Sequence, residues 1–120
     1  MNVIRGATTI TTDSSDHIIA SVIELLNEIL LKNNLNRDKV IAIFFSSTKD
    51  ITAEYPAKAA RIIGFNNIAL MCFQEMDVKD SLKHCIRLSI FYDDVLLNKV
   101  NHIYLRDAVC LRPDLVVKEA

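Results

Sequence analysis

Apolar residues recur along the chain with two distinct periods. Ile18, Val22, Leu25 and Ile29, joined by Ile19, Leu26 and Leu30, repeat at helical spacing through Lys32, and Asp13-Ser14-Ser15-Asp16 offers N-cap residues just before them. An amphipathic helix is predicted there. Upstream, Val3-Ile4-Arg5-Gly6 and the β-branched run Thr8-Thr9-Ile10-Thr11-Thr12 suit a first strand with a glycine-marked bend or close approach. Asn33-Asn34-Leu35-Asn36 breaks the helix. Val40 to Phe45 is a continuous apolar run, predicting a central strand covered on both faces. Ser46 to Asp50 reads as polar loop. Pro56 is placed at the first helical position of a short second helix, Ala57 to Ile63, with Gly64 as its stop.

Three more strands follow: Ile68 to Phe73, Cys85 to Tyr92, and Ile103 to Leu111, the last ended by Pro113. Asp93-Asp94 opens a connection in which a helical turn would fit. The order β-α-β-α-β-β-β predicts an α+β fold, a mixed β-sheet backed by helices. A chain of 120 residues, with no internal repeat or linker, makes this one domain spanning 1–120.

Composition narrows the function. Fourteen Lys+Arg against fifteen Asp+Glu, scattered along the chain, leave no basic footprint for nucleic acid or an anionic membrane. The longest purely apolar runs have six residues, far below the roughly 20 that span a bilayer. The first residues, Met-Asn-Val-Ile-Arg, lack the pattern of a signal peptide, so a cytoplasmic protein is expected. Three cysteines, Cys72, Cys85 and Cys110, are an odd number without zinc spacing, and reduced thiols are expected. With two glycines in all there is neither a P-loop nor a dinucleotide fingerprint, and His84, Cys85 and His102 lack metal-ligand spacing.

Arginine is the remaining chemistry. Arg87 interrupts an apolar strand on the face of Cys85 and Ser89, opposite Ile86, Leu88 and Ile90. It is either half of a structural salt bridge or a clamp for a substrate anion, and parity alone does not decide. Tyr104, Arg106 and Arg112 share one parity on the predicted last strand, with Arg106 also readable as a solvated residue beside Asp107. Arg5 precedes Gly6 at a strand bend. Lys58 lies in a first helical turn. Cys72-Phe73-Gln74-Glu75-Met76-Asp77 ends a strand in a thiol and carboxylates that are either site groups or turn and cap residues. Several arginines without a nucleophile, metal or nucleotide motif suggest a site that binds carboxylates and works by electrostatics.

Five segments taken together carry a resemblance: Ile4-Arg5-Gly6-Ala7-Thr8-Thr9, Tyr55-Pro56-Ala57-Lys58-Ala59-Ala60-Arg61, Cys72-Phe73-Gln74-Glu75-Met76-Asp77-Val78, Cys85-Ile86-Arg87, and His102-Ile103-Tyr104-Leu105 through Leu111-Arg112-Pro113-Asp114-Leu115. In this order and spacing the chain resembles, from end to end, the monofunctional chorismate mutases of the trimeric, α/β-barrel-like class. The resemblance implies a pseudo-α/β-barrel homotrimer with sites between subunits. It also implies rearrangement of chorismate to prephenate, in phenylalanine and tyrosine biosynthesis, with neither cofactor nor covalent intermediate. By resemblance, Arg5 binds a substrate carboxylate, Arg87 reaches the ether oxygen and a carboxylate, Tyr104 hydrogen-bonds a carboxylate, and Cys72 with Glu75 contacts the ring hydroxyl. Tyr55, Ala57, Lys58, Arg61, Leu111 and Arg112 resemble the adjoining subunit's wall and C-terminal cover, and Leu70 and Met71 the strand wall. Tyr55 stands where the family pattern has Phe and Met71 where it has Thr, and the Met71 side chain has no hydrogen to donate. Two other readings use the same arginines: a non-catalytic homotrimeric module that senses a carboxylate, and an imine or enamine deaminase of a related trimer family. The latter's motifs are absent from the sequence.

Overall fold

A computed structural model describes residues 1–112 of the chain. The elements run β1 (Asn2–Thr9), α1 (Ser15–Lys32), β2 (Val40–Ser47), α2 (Ala57–Ile62), β3 (Ala69–Gln74), β4 (Cys85–Tyr92) and β5 (Ile103–Tyr104), in the predicted order. Ser14 caps α1: its backbone is extended and its hydroxyl accepts the His17 N–H at 3.2 Å. Pro56 occupies the N-cap of α2, one position before the first helical residue, and Gly64 ends the turn behind it with φ +107°. No described helix is long and apolar enough to cross a membrane.

The strands form one mixed sheet in the order β3-β2-β4-β1-β5. Strand β4 is antiparallel to both β1 and β2, while β3 runs parallel to β2 and β5 parallel to β1. The crossovers β1-α1-β2 and β2-α2-β3 step the same way across the sheet, so the right-handed rule for such connections puts both helices on one face. There Ile18, Val22, Leu25, Leu26 and Ile29 of α1 and Ala57, Ala59 and Ala60 of α2 pack on Ile4, Ile43, Phe45, Ile86, Leu88 and Ile90. Helix α1 lies so close to β1 that a Cβ on Gly6 would stand 2.7 Å from Ile29 Cδ1 and 3.2 Å from Leu25 Cδ1. Any side chain there would force Ile29 to shift.

Among the described residues the other face of the sheet carries no α-helix. Strand β2 is therefore covered on one face in this chain, not on both: Phe44 is half-buried, and Ile41 is exposed where a bulge between Val40 and Ala42 breaks the register with β4. Continuous hydrophobicity misread as double burial is explained by the aromatic cluster on the open face, where Phe44 lies against Phe73 and Phe91 with ring centroids 6.1 and 5.1 Å away.

The C-terminal part departs furthest from expectation. Strand β5 is two residues long, and Arg106–Leu111 is a 3₁₀ helix, not strand. After the Leu105 N–H bonds the Ala7 carbonyl, Arg106 takes a left-handed φ of 53° and turns the chain out of the sheet. Ala108 is then fully buried in a small cluster with Ala7 and Cys85 on the otherwise open face. Of the apolar residues in this 3₁₀ helix only Ala108 is buried, and the shared parity of Tyr104, Arg106 and Arg112 has no strand to act on. Arg106 instead pairs with Glu24 of α1 at 3.0 Å. The 93–102 connection is irregular, not helical, and is tied to α1 by a reciprocal pair. Asn33 Nδ2 donates to the Asn101 carbonyl at 2.9 Å and Asn33 Oδ1 accepts the Asn101 N–H at 2.8 Å. Strand β1 stops at Thr9, short of Thr12, and Ser46 and Ser47 belong to β2 and not to a loop. Pro113 lies outside the described residues.

Asp13 joins the start of α1 to the loop after β2, its carboxylate accepting the Thr52 hydroxyl at 2.8 Å and the Thr52 and Ala53 N–H groups at 3.1 Å. The Thr52 hydroxyl above all, with the two N–H groups, holds this carboxyl below its ordinary value of 3.8, against the opposing pull of desolvation. A carboxyl with a lower pKa folded than unfolded stabilises the fold fully above the unfolded value and loses that contribution as pH falls through the folded one. Urea titrations of the parent chain and Asp13→Asn should therefore show a stability difference that is full at pH 6 and shrinks below about pH 4. A difference independent of pH would show that the charge on Asp13 plays no part.

Candidate active site

The period of β4 puts Arg87 on the open face, half-exposed, while Ile86 and Leu88 enter the core. Register sets its neighbours: Ser46 of β2 is paired with Arg87, and Ser46 is in turn paired with Phe73 of β3. Just beyond β3 the Glu75 N–H bonds the Ser47 carbonyl at 2.8 Å, which turns the Glu75 side chain back over the sheet. Its Oε2 accepts the Ser46 hydroxyl at 2.6 Å and stands 3.4 Å from Arg87 Nε. Both readings of Arg87 have a physical basis here, since the ion pair exists but is half-exposed at the edge of a cleft, where such pairs contribute little to stability.

Arg5 projects from β1 one register step away, opposite Ser89. Its backbone N–H donates to Nδ1 of His102 at 2.9 Å, where β5 has not yet begun. Ala7 and Cys85 are small enough for the 3₁₀ helix to settle on them, which brings Leu111 and Arg112 over the same face. Arg5, Glu75, Arg87, Tyr104, Leu111 and Arg112 together line an open cleft of about 430 Å³, with Phe44, Ser46 and Phe73 along its wall. Among the described residues, three guanidiniums and a phenol thus face one carboxylate. The cleft is built to hold an anion with more than one negative group, and preorganised charge is its main chemical resource.

Thiols near the cleft are neutral. Burial pushes Cys85 up to about 11, although the Arg87 guanidinium beside it pulls the other way. Burial likewise raises Cys72, against the Ala57 N–H that reaches its sulfur and the charge of Arg61. Neither is activated as a nucleophile. Among the described residues no group of three or more His, Cys, Asp or Glu is placed to hold a metal ion.

The remaining residues singled out by sequence lie elsewhere. Cys72 is paired with Phe45 and so faces α2, not the open side. With Tyr55, Pro56, Phe73 and Gln74 it lines a second groove of about 410 Å³, and Ala57 and Arg61 are its neighbours on α2. Lys58 is held by Glu54 at 3.0 Å, and that carboxylate also accepts the Ser15 hydroxyl at 2.9 Å. Leu70 packs toward the core, whereas Met71 is half-exposed on the open face beside Phe44. Phe73 lines both grooves. Leu111 and Arg112 share the cleft of Arg5 and Arg87 in the same chain, where the resemblance implied the adjoining subunit's wall. Cys72 and Glu75, paired in that reading, lie in separate grooves.

Two residues at the site were not singled out as site groups. Ser46 reads as loop because nothing local shows that β2 continues to it. His102, within one of the five motif segments, shares the parity of Tyr104, and that spacing was the available signal.

Comparison with known proteins agrees with this geometry. The sequence profile described as "Chorismate mutase type I" matches residues 1–115. The chain is 40% identical over 114 residues to chorismate mutase AroH of Bacillus subtilis (strain 168), covering 93% of this chain and 90% of that protein. It is equally 40% identical over 114 residues to chorismate mutase AroH of Thermus thermophilus, covering 93% of each. The solved structure of a chorismate mutase from Clostridium thermocellum superposes with a TM-score of 0.86 at 40% identity, over 92% of this chain and 99% of that one. A profile that covers nearly the whole chain, relatives matched over nearly their own full length, and a shared fold place this chain in the type I chorismate mutase family.

Proposed function

We propose that the protein catalyses the [3,3] rearrangement of chorismate to prephenate, in a site completed between the subunits of a homotrimer. The observation that carries this reading is the cleft in which Arg5, Arg87, Arg112 and Tyr104 face one carboxylate, Glu75. Chorismate is a dianion whose enolpyruvyl ether must fold over its ring before it reacts. Arg5 and Tyr104 hold carboxylates and so select that compact conformer, which contributes orientation without acid-base chemistry. In the rearrangement the ether C–O bond breaks ahead of C–C bond formation, and negative charge grows on the ether oxygen. Arg87, fixed by Glu75 and through it by Ser46, meets that charge. Its attraction is stronger in the transition state than in the ground state, which is the condition for raising the rate. The ring hydroxyl falls to Glu75. No proton, electron or group leaves the substrate, so no base, nucleophile or carrier is required.

The second groove, with Tyr55, Cys72 and Arg61, supplies the opposite wall when a neighbouring chain covers the cleft. The half-exposed Met71 and Phe73 on the open face support such an assembly, because burying them between chains removes apolar surface from water. Three cysteines, an odd number without zinc spacing, suit a reducing compartment and support a cytoplasmic location.

Purified protein given chorismate alone should form prephenate, identified by its conversion to phenylpyruvate in acid. Light scattering at assay concentration should give three times the chain mass. Turnover absent from a well-folded trimer would overturn the catalytic reading, and a fully active monomer would overturn the shared site.

A further inference from the structure

Strand β5 joins β1 through two residue pairs only, Gly6 with Ile103 and Ala7 with Tyr104. At the next position along β1 the Arg5 N–H donates not to a backbone carbonyl but to the His102 ring nitrogen Nδ1 at 2.9 Å, while the Asn101 carbonyl accepts from Asn33 Nδ2. An amide N–H only donates, so Nδ1 carries no proton and the neutral ring holds its proton on Nε2. The charged groups facing this ring are Arg5 from β1 and Arg112 from the chain beyond the 3₁₀ helix. Burial foremost, then these two cations, hold the imidazole below the ordinary range of histidine, which keeps the acceptor form populated.

We infer that His102 is a positioning residue for Arg5: its Nδ1 replaces a ladder bond and fixes the backbone from which the Arg5 guanidinium enters the cleft. The consequence reaches both sides of the cleft. Arg5 stands at the donor end of the bond, and Tyr104 follows the acceptor by two residues on the short β5. Without this bond Arg5 keeps its pairing with Ser89 of β4, but β1 loses its tie to the chain entering β5. That chain is then held by two ladder pairs and by Asn101 on Asn33, and the direction in which Arg5 and Tyr104 approach a carboxylate loosens. Guanidinium-carboxylate contacts depend on that direction, since the fork of donors is rigid. This inference rests on the proposed role of Arg5 in binding chorismate.

His102→Leu removes the acceptor, whereas His102→Asn presents a carbonyl oxygen close to the former Nδ1 position. Leu should lower kcat/KM about tenfold, the size of one ordinary hydrogen bond. The loss should fall mainly on KM, because a carboxylate contact exists in ground and transition states alike. Asn should recover most of it. In an Arg5→Ala background, His102→Leu should cause little further loss, since a residue that acts through Arg5 has nothing left to position. Equal losses for Asn and Leu, or fully additive losses with Arg5→Ala, would overturn the inference. The ring nitrogens of the unmutated protein give a test that needs no variant. Their ¹⁵N spectra at neutral pH should show the Nε2–H tautomer, and an Nδ1–H or doubly protonated ring would overturn the inference as well. A protein that forms no prephenate while showing that tautomer would refute the chorismate reading and leave the His102–Arg5 bond intact.

Discussion

Replacing Arg87 by citrulline, which keeps the shape and removes the charge, should lower kcat by at least about 10²–10³, the usual effect of losing one preorganised donor to developing negative charge. The reasoning starts from where Arg87 stands. It lines the cleft on the open face with its Nε 3.4 Å from Glu75, in an ion pair whose members are 48% and 28% exposed. A pair so accessible to water contributes on the order of 0–1 kcal/mol to stability, so the citrulline protein should fold almost as well as its parent. Catalysis is a different matter, because a substrate that fills the cleft displaces water and strengthens every charge interaction there. The loss should appear in kcat in addition to any rise in KM, since the oxygen that Arg87 serves gains charge only on the way to the transition state. Arg87→Lys keeps the charge but loses the planar fork, and should fall between the two. Paired measurements of turnover and of transition-state-analogue affinity check this. A citrulline protein that matches its parent in both, but melts much earlier, would make Arg87 a structural salt-bridge residue.

Arg5→Ala should lower kcat/KM by about 10- to 150-fold, which corresponds to the ~1.5–3 kcal/mol of a hydrogen bond to a charged group. Arg5 is exposed and lines the cleft, and its own N–H is already committed to His102. Alanine leaves that backbone bond in place and removes only the guanidinium. The core beneath is untouched, because Ile4 and not Arg5 points into it, and thermal stability should change little. Steady-state kinetics with chorismate, alongside a melting curve, separate the outcomes. Unchanged kinetics in a folded variant would return Arg5 to the ordinary protein surface.

The sequence by itself determined the local elements and several faces. Ile18 to Leu30 repeats at one helical stripe, and that stripe is the buried side of α1. Alternation in 85–92 put Arg87 opposite Ile86 and Leu88, as found. Five motif segments in constant order identified the family and, by resemblance, the polar lining of the cleft in Arg5, Glu75, Arg87, Tyr104 and Arg112, together with Leu111. These features are legible because periodicity and capping depend on neighbours a few positions away.

Tertiary structure alone decided which residues meet. Ser46 reaches Glu75 and Arg87 because the β2–β4 and β3–β2 registers align three strands far apart in sequence. Cys72 and Glu75, three residues apart, part company because one faces α2 and the other turns back over the open face after β3 ends. The run 103–111 looked like strand, yet β1 ends at Thr9, leaving only a short edge to pair with. Beyond Tyr104 the chain turns so that Ala108 is buried on Ala7 and Cys85 and Leu111 packs partly against them, while Val109 and Cys110 stay exposed. Side-chain period tells which way a residue points. It says nothing of register, partner or where a strand runs out of neighbours, because those follow from hydrogen bonds and packing between segments that only folding brings together.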